Sequence, residues 1–322
     1  MKSLEMVVEI KGKKFLFKVE TSNNPIDYIK YEQLREEIWN FPQDHLPGSR
    51  NMMCENFLVN GSSLFIGAFS EKEKGGFSKQ DKAHLVGFAY GFLGVKDKEI
   101  GFRSTDNLQF YSQYVGVRKD FQNFGLGILI KEFQRDKLMD LFGVYTMTCT
   151  YDALTGINAY RNIHHFGMEV IEYKVDHYSD FGGSLNRIDV PSDRFFMSWD
   201  LRKKEPQRPA YNLESLLENE QIVTEVDYTE IQGKNSFLEL EVIRGINLNL
   251  AHEFLLVEAP RNFYQMLQET DVQDESVRVI PFEWRMKTRQ AFQNLLQRGY
   301  RIIDFRLIEI SKRRRNFYVL KR

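Results

Sequence analysis

The sequence predicts an α/β protein whose first two-thirds alternate strands with helices, followed by a smaller, strand-rich α+β region. Three observations carry this reading. Apolar runs of strand length recur between polar, glycine-containing breaks. A turn with two glycines, Gln122-Asn123-Phe124-Gly125-Leu126-Gly127, joins one such run to a segment of helical periodicity. A charged stretch holding two prolines, Arg202 to Asn212, then divides residues 1–201 from residues 202–322.

In chain order, Ile26 to Trp39 spaces Ile26, Ile29, Tyr31, Leu34 and Ile38 among charges, an amphipathic helix with a proline at its first turn. Leu64 to Phe69 and Leu85 to Leu93 are apolar runs that the polar stretch Ser70 to His84 turns into a hairpin. Leu108 to Val117, rich in β-branched and aromatic residues, reads as a strand. Past the glycines, Ile128, Leu129, Phe133, Leu138 and Leu141 recur at roughly helical spacing up to Gly143. Val144 to Tyr151 reads as a strand and Gly156 to His165 as a helix stopped by Gly167. Val170 to Tyr173 and Arg194 to Leu201 read as two closing strands. Beyond the prolines, Ser236 to Ile243, Ala251 to Glu258, Arg301 to Ile310 and Asn316 to Leu320 read as strands. Phe282 to Gln297 reads as a helix with Trp284, Met286, Phe292, Leu295 and Leu296 on its apolar side. That last region contains no recognisable catalytic motif. Covering a sheet edge, walling a substrate site and forming a homodimer are its open roles.

The glycine-spaced turn has the most chemistry in it. Glycine lets a backbone approach a ligand closely and adopt unusual dihedrals. The unpaired amides of the helix turn that follows, with the positive end of the helix dipole, favour a phosphate. A plain tight turn packed on a helix fits the same spacing. The P-loop is excluded because no Gly-Lys-Ser/Thr follows, and a dinucleotide fold because no Gly-x-Gly-x-x-Gly opens the first strand.

Val115-Gly116-Val117-Arg118-Lys119-Asp120-Phe121 followed by Gln122 to Gly127 resembles motif A of the GCN5-related N-acetyltransferases: a hydrophobic strand, a few polar residues, then Gln/Arg-x-x-Gly-x-Gly/Ala opening a helix. The order of elements over roughly residues 20 to 201 is also similar to that superfamily. The resemblance implies a central mixed, mostly antiparallel sheet flanked by helices. It also implies acetyl-CoA or another acyl-CoA as co-substrate, with the pyrophosphate on the amides of Gln122, Asn123, Phe124, Gly125, Leu126 and Gly127. Val115, Gly116 and Val117 would lie beside the pantetheine arm, where the strand splays from its neighbour, and Asn158 is carried with them. Within the superfamily, Tyr151-Asp152-Ala153-Leu154, Asn158-Ala159, Asn162, Phe166-Gly167 and Pro191-Ser192-Asp193-Arg194 leading to Trp199 resemble a group with an extra C-terminal region. Some of its relatives succinylate D-amino acids.

The chemistry expected is acyl transfer to a primary amine of a small molecule by direct attack in a ternary complex. A non-catalytic CoA-binding module and a protein-lysine acetyltransferase remain open beside it. The family's tyrosine acid is replaced by Ile163, so Tyr160 and His164 are the candidates to protonate the leaving thiolate. Asp152 can hold an acceptor ammonium or accept its proton, or serve as a turn residue. Tyr151 stands beside it on the acceptor side. Arg194 can clamp an acceptor or acyl carboxylate, or pair with Asp193 or Asp189. His164-His165 has no metal spacing, because adjacent helix residues face different ways, and no metal is expected.

Composition narrows the classes. Lys+Arg 44 against Asp+Glu 45 gives a net charge of -1, so no global basic field attracts nucleic acid or an acidic membrane. Lys312-Arg313-Arg314-Arg315 is local and reads as a solvated hairpin turn. Cys54 and Cys149 are far apart and predict free thiols. No apolar run reaches membrane length and the N-terminus lacks a signal-peptide pattern, so a cytoplasmic protein is expected.

Overall fold

The computed structural model describes residues 3–40, 56, 62–178, 183, 185–203, 205–310 and 312–322, and of Asn123 the backbone alone. Cys54 lies outside the described residues. The chain folds as two compact units, Met1–Cys149 with Asp200–Arg202, and Thr150–Trp199 with Lys203–Arg322. Packing therefore groups residues 150–199 with the C-terminal region. The division at 201/202 is one of sequence character and stays a proposal about modules.

The first unit opens on a hairpin absent from the sequence expectations, β1 (Glu5–Ile10) and β2 (Lys13–Val19). Lys11 and Gly12, both at positive φ, make its turn. A single turn at Pro25–Tyr28, capped by the Asn24 side chain, leads into helix α1 (Ile29–Trp39). Strands β3 (Ser63–Ser70), β4 (Leu85–Val95) and β5 (Leu108–Val117) follow. Helix α2 (Leu126–Lys137) then connects β5 to β6 (Thr146–Asp152), which runs from one unit into the next. The sheet order is β1-β2-β3-β4-β5-β6, antiparallel up to β5 and parallel between β5 and β6. This is the mixed, mostly antiparallel sheet that was expected.

Its core is aromatic. Tyr28, Tyr31, Phe65, Phe69, Phe88 and Tyr90 pack together with Leu16, Leu34 and Leu85. The buried side of α1 differs from the sequence reading: Ile26 and Ile29 are exposed, whereas Lys30 and Arg35 are buried. For Lys30 the reason is Glu20, buried at the end of β2, which pairs with Lys30 and Lys18 and accepts from the Tyr31 hydroxyl at 3.0 Å. There this inward carboxylate outweighs the apolar pattern of α1.

In the second unit, helix α3 (Gly156–Ala159) widens into a looser turn over Tyr160–His165 and ends before Gly167, at positive φ as expected. Strands β7 (Glu169–Lys174) and β8 (Arg194–Asp200) pair antiparallel. After helix α4 (Leu213–Glu218) come a two-stranded sheet, β9 (Thr224–Gln232) with β10 (Phe237–Ile246), and strand β11 (Phe254–Ala259). Helices α5 (Phe263–Glu269), α6 (Glu275–Arg278) and α7 (Ile280–Gln297) precede β12 (Arg301–Ile310) and β13 (Arg313–Lys321). These last strands form a sheet of order β11-β13-β12. Trp284 and Phe292 of α7 are fully buried as its period predicted, whereas Met286, read onto the same apolar side, is exposed. The basic cluster is the β12–β13 turn, with Arg313 on Glu239 and Arg315 on Glu258.

Candidate functional site

The glycine turn lies wholly in the first unit. Three features of β5 prepare it. On the β4 side, Tyr114 faces Tyr90 while Ser112 faces Gly91, so Gln113 is an extra, bulged residue. On the β6 side, pairing stops after Phe110–Met147 and Tyr111–Thr148. From Ser112 to Val117 no β6 residue pairs with that edge of β5 among the described residues, so its main-chain groups are not committed to a sheet ladder there. Gly116, the third feature, is where α1 closes on the strand: a Cβ there would stand 2.6 Å from the Trp39 ring.

The chain then coils tightly over Lys119–Phe124 and enters α2 at Gly125. Gly125 has φ 72° and ψ 11°, left-handed, with nothing within 4 Å of a notional Cβ, so the need for glycine here is conformational. It is the cap residue of α2, and no side chain caps the helix. The Leu126 and Gly127 amides thus open the helix with no acceptor from the helix itself. Gln122 is exposed and reaches back to the Val117 carbonyl at 3.4 Å. Phe121 and Phe124 both pack edge-on to Phe15.

The other sequence candidates all lie in the second unit, and several are engaged in its interior. Asp152 is buried, its Oδ2 2.6 Å from Arg285 Nη2 and its Oδ1 accepting the Leu154 amide at 2.9 Å. Its two oxygens are thus engaged, one by Arg285 and one by the turn. Tyr151 is likewise interior: Tyr318 donates to the Ala153 carbonyl, so the Tyr151 hydroxyl donates to Tyr318 across 3.2 Å. Asn158 is engaged at both ends, donating to Thr155 Oγ1 at 3.1 Å and accepting from Arg161 at 2.8 Å.

Arg194 differs from both readings of its ion pairing. Asp193 is taken by Arg289 and Tyr173, and Asp189 by Arg187 and Arg278. Arg194 instead lies over the Tyr178 ring at 5.2 Å and donates to Asn186 Oδ1 at 3.1 Å, with no carboxylate partner among the described residues. Nearby His177 is held below its ordinary value by burial and then by the charges of Lys174 and Arg194.

Tyr160 and His164 do come together, their rings stacked at 4.7 Å. His164 Nδ1 lies 2.8 Å from Asp304 Oδ1, a buried carboxylate on β12. A carboxylate only accepts, so Nδ1 carries the proton and Nε2 is left to exchange one. Asp304 is itself fixed: Tyr211 donates to Oδ2 at 2.6 Å, Arg208 Nε stands 3.1 Å from Oδ1, and the Phe305 amide donates to Oδ1 at 2.8 Å. Burial, then the bond to Asp304, pushes the Tyr211 hydroxyl up to about 12. The register of β12 slips between Ile302 and Asp304, and this bulge re-aims the side chain. Sequence reasoning missed Asp304, Arg208 and Tyr211. The only signal was an aspartate in the otherwise apolar run Ile302-Ile303-Asp304-Phe305.

No family model matches the chain, and no curated protein matches it. Among solved structures it is similar to the ribosomal-protein-S5-alanine acetyltransferase of Vibrio fischeri, at 9% identity and TM-score 0.43, covering 62% of this chain and 100% of that one. It is similar to the ribosomal-protein-S18-alanine N-acetyltransferase of Escherichia coli, at 13% identity and TM-score 0.40, covering 61% and 99%. It is also similar to Arabidopsis thaliana NAA60 in complex with acetyl-CoA, at 11% identity and TM-score 0.43, covering 59% and 99%. At scores this low the fold is judged on the chain's own topology: an antiparallel run, a parallel pair, and the glycine turn and helix between the paired strands.

Proposed function

We propose, from the premise that this chain carries the fold of the GCN5-related N-acetyltransferases, that it transfers an acyl group from acyl-CoA to a primary amine of a small molecule. One observation carries the reading. The open edge of β5 runs, through the tight coil of Lys119–Phe124, into an uncapped helix start at Gly125, so main-chain donors line both stations that a phosphopantetheine thioester needs. The helix amides at Leu126 and Gly127 would hold the pyrophosphate. The edge groups of Tyr114 to Val117 would pair with the amide-bearing arm.

Acyl-CoA supplies the activated thioester, and the amine attacks its carbonyl carbon as the neutral base. The C–N bond forms, the C–S bond breaks, the amine loses a proton to water or a base, and the thiolate gains one. A main-chain N–H of the open β5 edge is the donor assigned to the oxyanion. His164, its Nδ1 fixed by Asp304, is assigned as the proton donor to the thiolate through Nε2, with Asp304 a positioning residue. Solvent protonation contributes too, because a thiolate whose parent pKa is about 8.5 leaves readily. Arg194, with no carboxylate partner among the described residues, is assigned to a carboxylate on the acceptor or the acyl group.

Incubating the full-length protein with acetyl-CoA or succinyl-CoA and a panel of small primary amines, read by thiol release, tests this. Amine-dependent release is expected. Tight CoA binding with no release on any amine would leave the non-catalytic module, the reading favoured by Ile163 at the family's tyrosine position. Release on basic peptides alone would make the chain a protein-lysine acetyltransferase.

A further inference from the structure

The β1–β2 hairpin brings a group of cations to the glycine turn that nothing in the acyl-transfer reading uses. Lys13 Nζ lies 5.2 Å from the centroid of the Phe124 ring and 5.8 Å from that of Phe121. Lys11 Nζ lies 5.7 Å from the Phe124 ring. The Arg118 guanidinium, from the turn itself, stands 5.0 Å from Phe121. Three cations from two chain segments thus share one platform of two aromatic rings.

Among the described residues, neither Lys13 nor Arg118 pairs with a carboxylate. The Arg118 side chain donates one bond, to the Ala83 carbonyl at 3.1 Å, and its buried Nε has no partner among the described residues. The next lysine, Lys14, does reach a carboxylate, Glu71 at 3.9 Å. Asp120, the acidic residue of the turn, pairs with neither Lys13 nor Arg118. A ring face attracts and orients a cation but carries no net charge, so the positive potential persists. It persists beside a helix start that already favours anions.

The open amides suffice for a pyrophosphate, so the extra charge calls for a further anion on the same ligand. A phosphomonoester fits best, carrying about two negative charges near neutral pH and accepting from flexible point charges without strict geometry. Resting on the CoA reading of the glycine turn, we infer that Lys13 and Arg118, aided by Lys11, form a subsite for the 3′-phosphate of coenzyme A. The N-terminal hairpin is then a selectivity element for phosphorylated coenzyme over its dephospho form.

Calorimetric titration of the full-length protein with CoA and with dephospho-CoA tests this, using wild type, Lys13→Gln and Arg118→Gln. Wild type should bind CoA about tenfold more tightly than dephospho-CoA, one charge-assisted contact's worth of discrimination. Lys13→Gln should reduce that ratio several-fold while leaving dephospho-CoA affinity unchanged, and added salt should do the same. Lys13 is exposed at a strand start, so this variant keeps the fold; circular dichroism checks Arg118→Gln. Equal wild-type affinity for the two ligands would overturn the 3′-phosphate subsite while leaving the acyl-CoA reading intact. So would an equal loss for both ligands in Lys13→Gln, which would assign the cations to the pyrophosphate. Binding of neither ligand would overturn the subsite and the acyl-CoA reading together.

Discussion

Replacing Asp152 with alanine separates a chemical from a structural role for the residue that sequence placed nearest the acceptor. Asp152 and Arg285 have side chains 2% and 1% exposed and meet at 2.6 Å. The other bonds open to the guanidinium are poor. Nη1 reaches the Asp193 carbonyl only at 3.5 Å, Nε has no partner among the described residues, and the Asp193 carboxylate is held by Arg289 and Tyr173. Removing Asp152 therefore strands a buried cation, which costs about 3–5 kcal/mol. It also frees the Leu154 amide, adding roughly 1 kcal/mol. Set against a total stability of about 5–15 kcal/mol, this is a severe loss. Urea unfolding followed by the fluorescence of the three tryptophans, with circular dichroism to detect a separate transition of the first unit, measures it. A double variant, Asp152→Leu with Arg285→Met, should recover most of the loss, because replacing both charges by apolar groups of similar size is close to neutral. If Asp152→Ala stayed within about 1 kcal/mol of wild type and instead raised the KM of the amine, the carboxylate would be working on the acceptor and the buried-pair reasoning would be wrong.

Other outcomes are expected. Gly125→Val forces a β-branched residue into a left-handed conformation, a strain of about 1–3 kcal/mol, and should weaken CoA at least tenfold by calorimetry in a folded protein. Tyr160→Phe and His164→Ala should each leave measurable turnover, because a general acid adds only about 10²–10⁴-fold; abolition by either, with CoA binding intact, would make that residue indispensable. Asp304→Asn should alter the pH–rate profile and lower kcat with CoA affinity unchanged, whereas a merely structural Asp304 would leave the profile's shape alone. A chain ending at Arg202 should aggregate, because Asp152, Asp193 and Phe195 lose Arg285, Arg289 and Phe292; a soluble, active truncation would refute this. Burial works to raise the Asp193 carboxyl but is overcome by Arg289, Arg285 and Tyr173, so its value is depressed in the folded state. Its stabilisation is full above the unfolded value of about 3.9 and lost as pH falls below that; Arg289→Ala should move acid unfolding to higher pH, read by urea midpoints between about pH 5 and pH 3.

The strand–turn–helix at Leu108 to Leu141 was legible because local chemistry decides it: β-branched and aromatic residues, then glycines at defined places, then a helical period. The β1–β2 hairpin was equally local, with Met6, Val7 and Val8 facing Phe17, Leu16 and Phe15 about the Lys11-Gly12 turn, and was overlooked for want of an Asn-Gly type signal. The fates of Asp152, Tyr151 and Arg194 were not legible. Each depends on partners such as Arg285 and Tyr318 that are more than a hundred residues away, or on competition for Asp193 that Arg289 wins. No local pattern encodes which of several arginines reaches a carboxylate first. Asp304 was hidden for a related reason: a strand bulge, not the alternation of the sequence, decides where it points.

The Asp152–Arg285 and Asp193–Arg289 pairs span 133 and 96 positions of the chain, with the carboxylate made first each time. On a ribosome adding about 5–20 residues per second, Asp152 waits on the order of ten seconds for its arginine. Meanwhile the strands β1 to β5 and helix α2 already have their partners, so the first unit can close while residues 150–199 cannot. For that interval the nascent chain carries two acidic groups and a stretch of aromatic side chains with nothing to bury them. Slower translation over residues 200–290 should therefore lower soluble yield more than equal slowing over residues 1–100, a difference set by the order of synthesis and invisible in the finished fold.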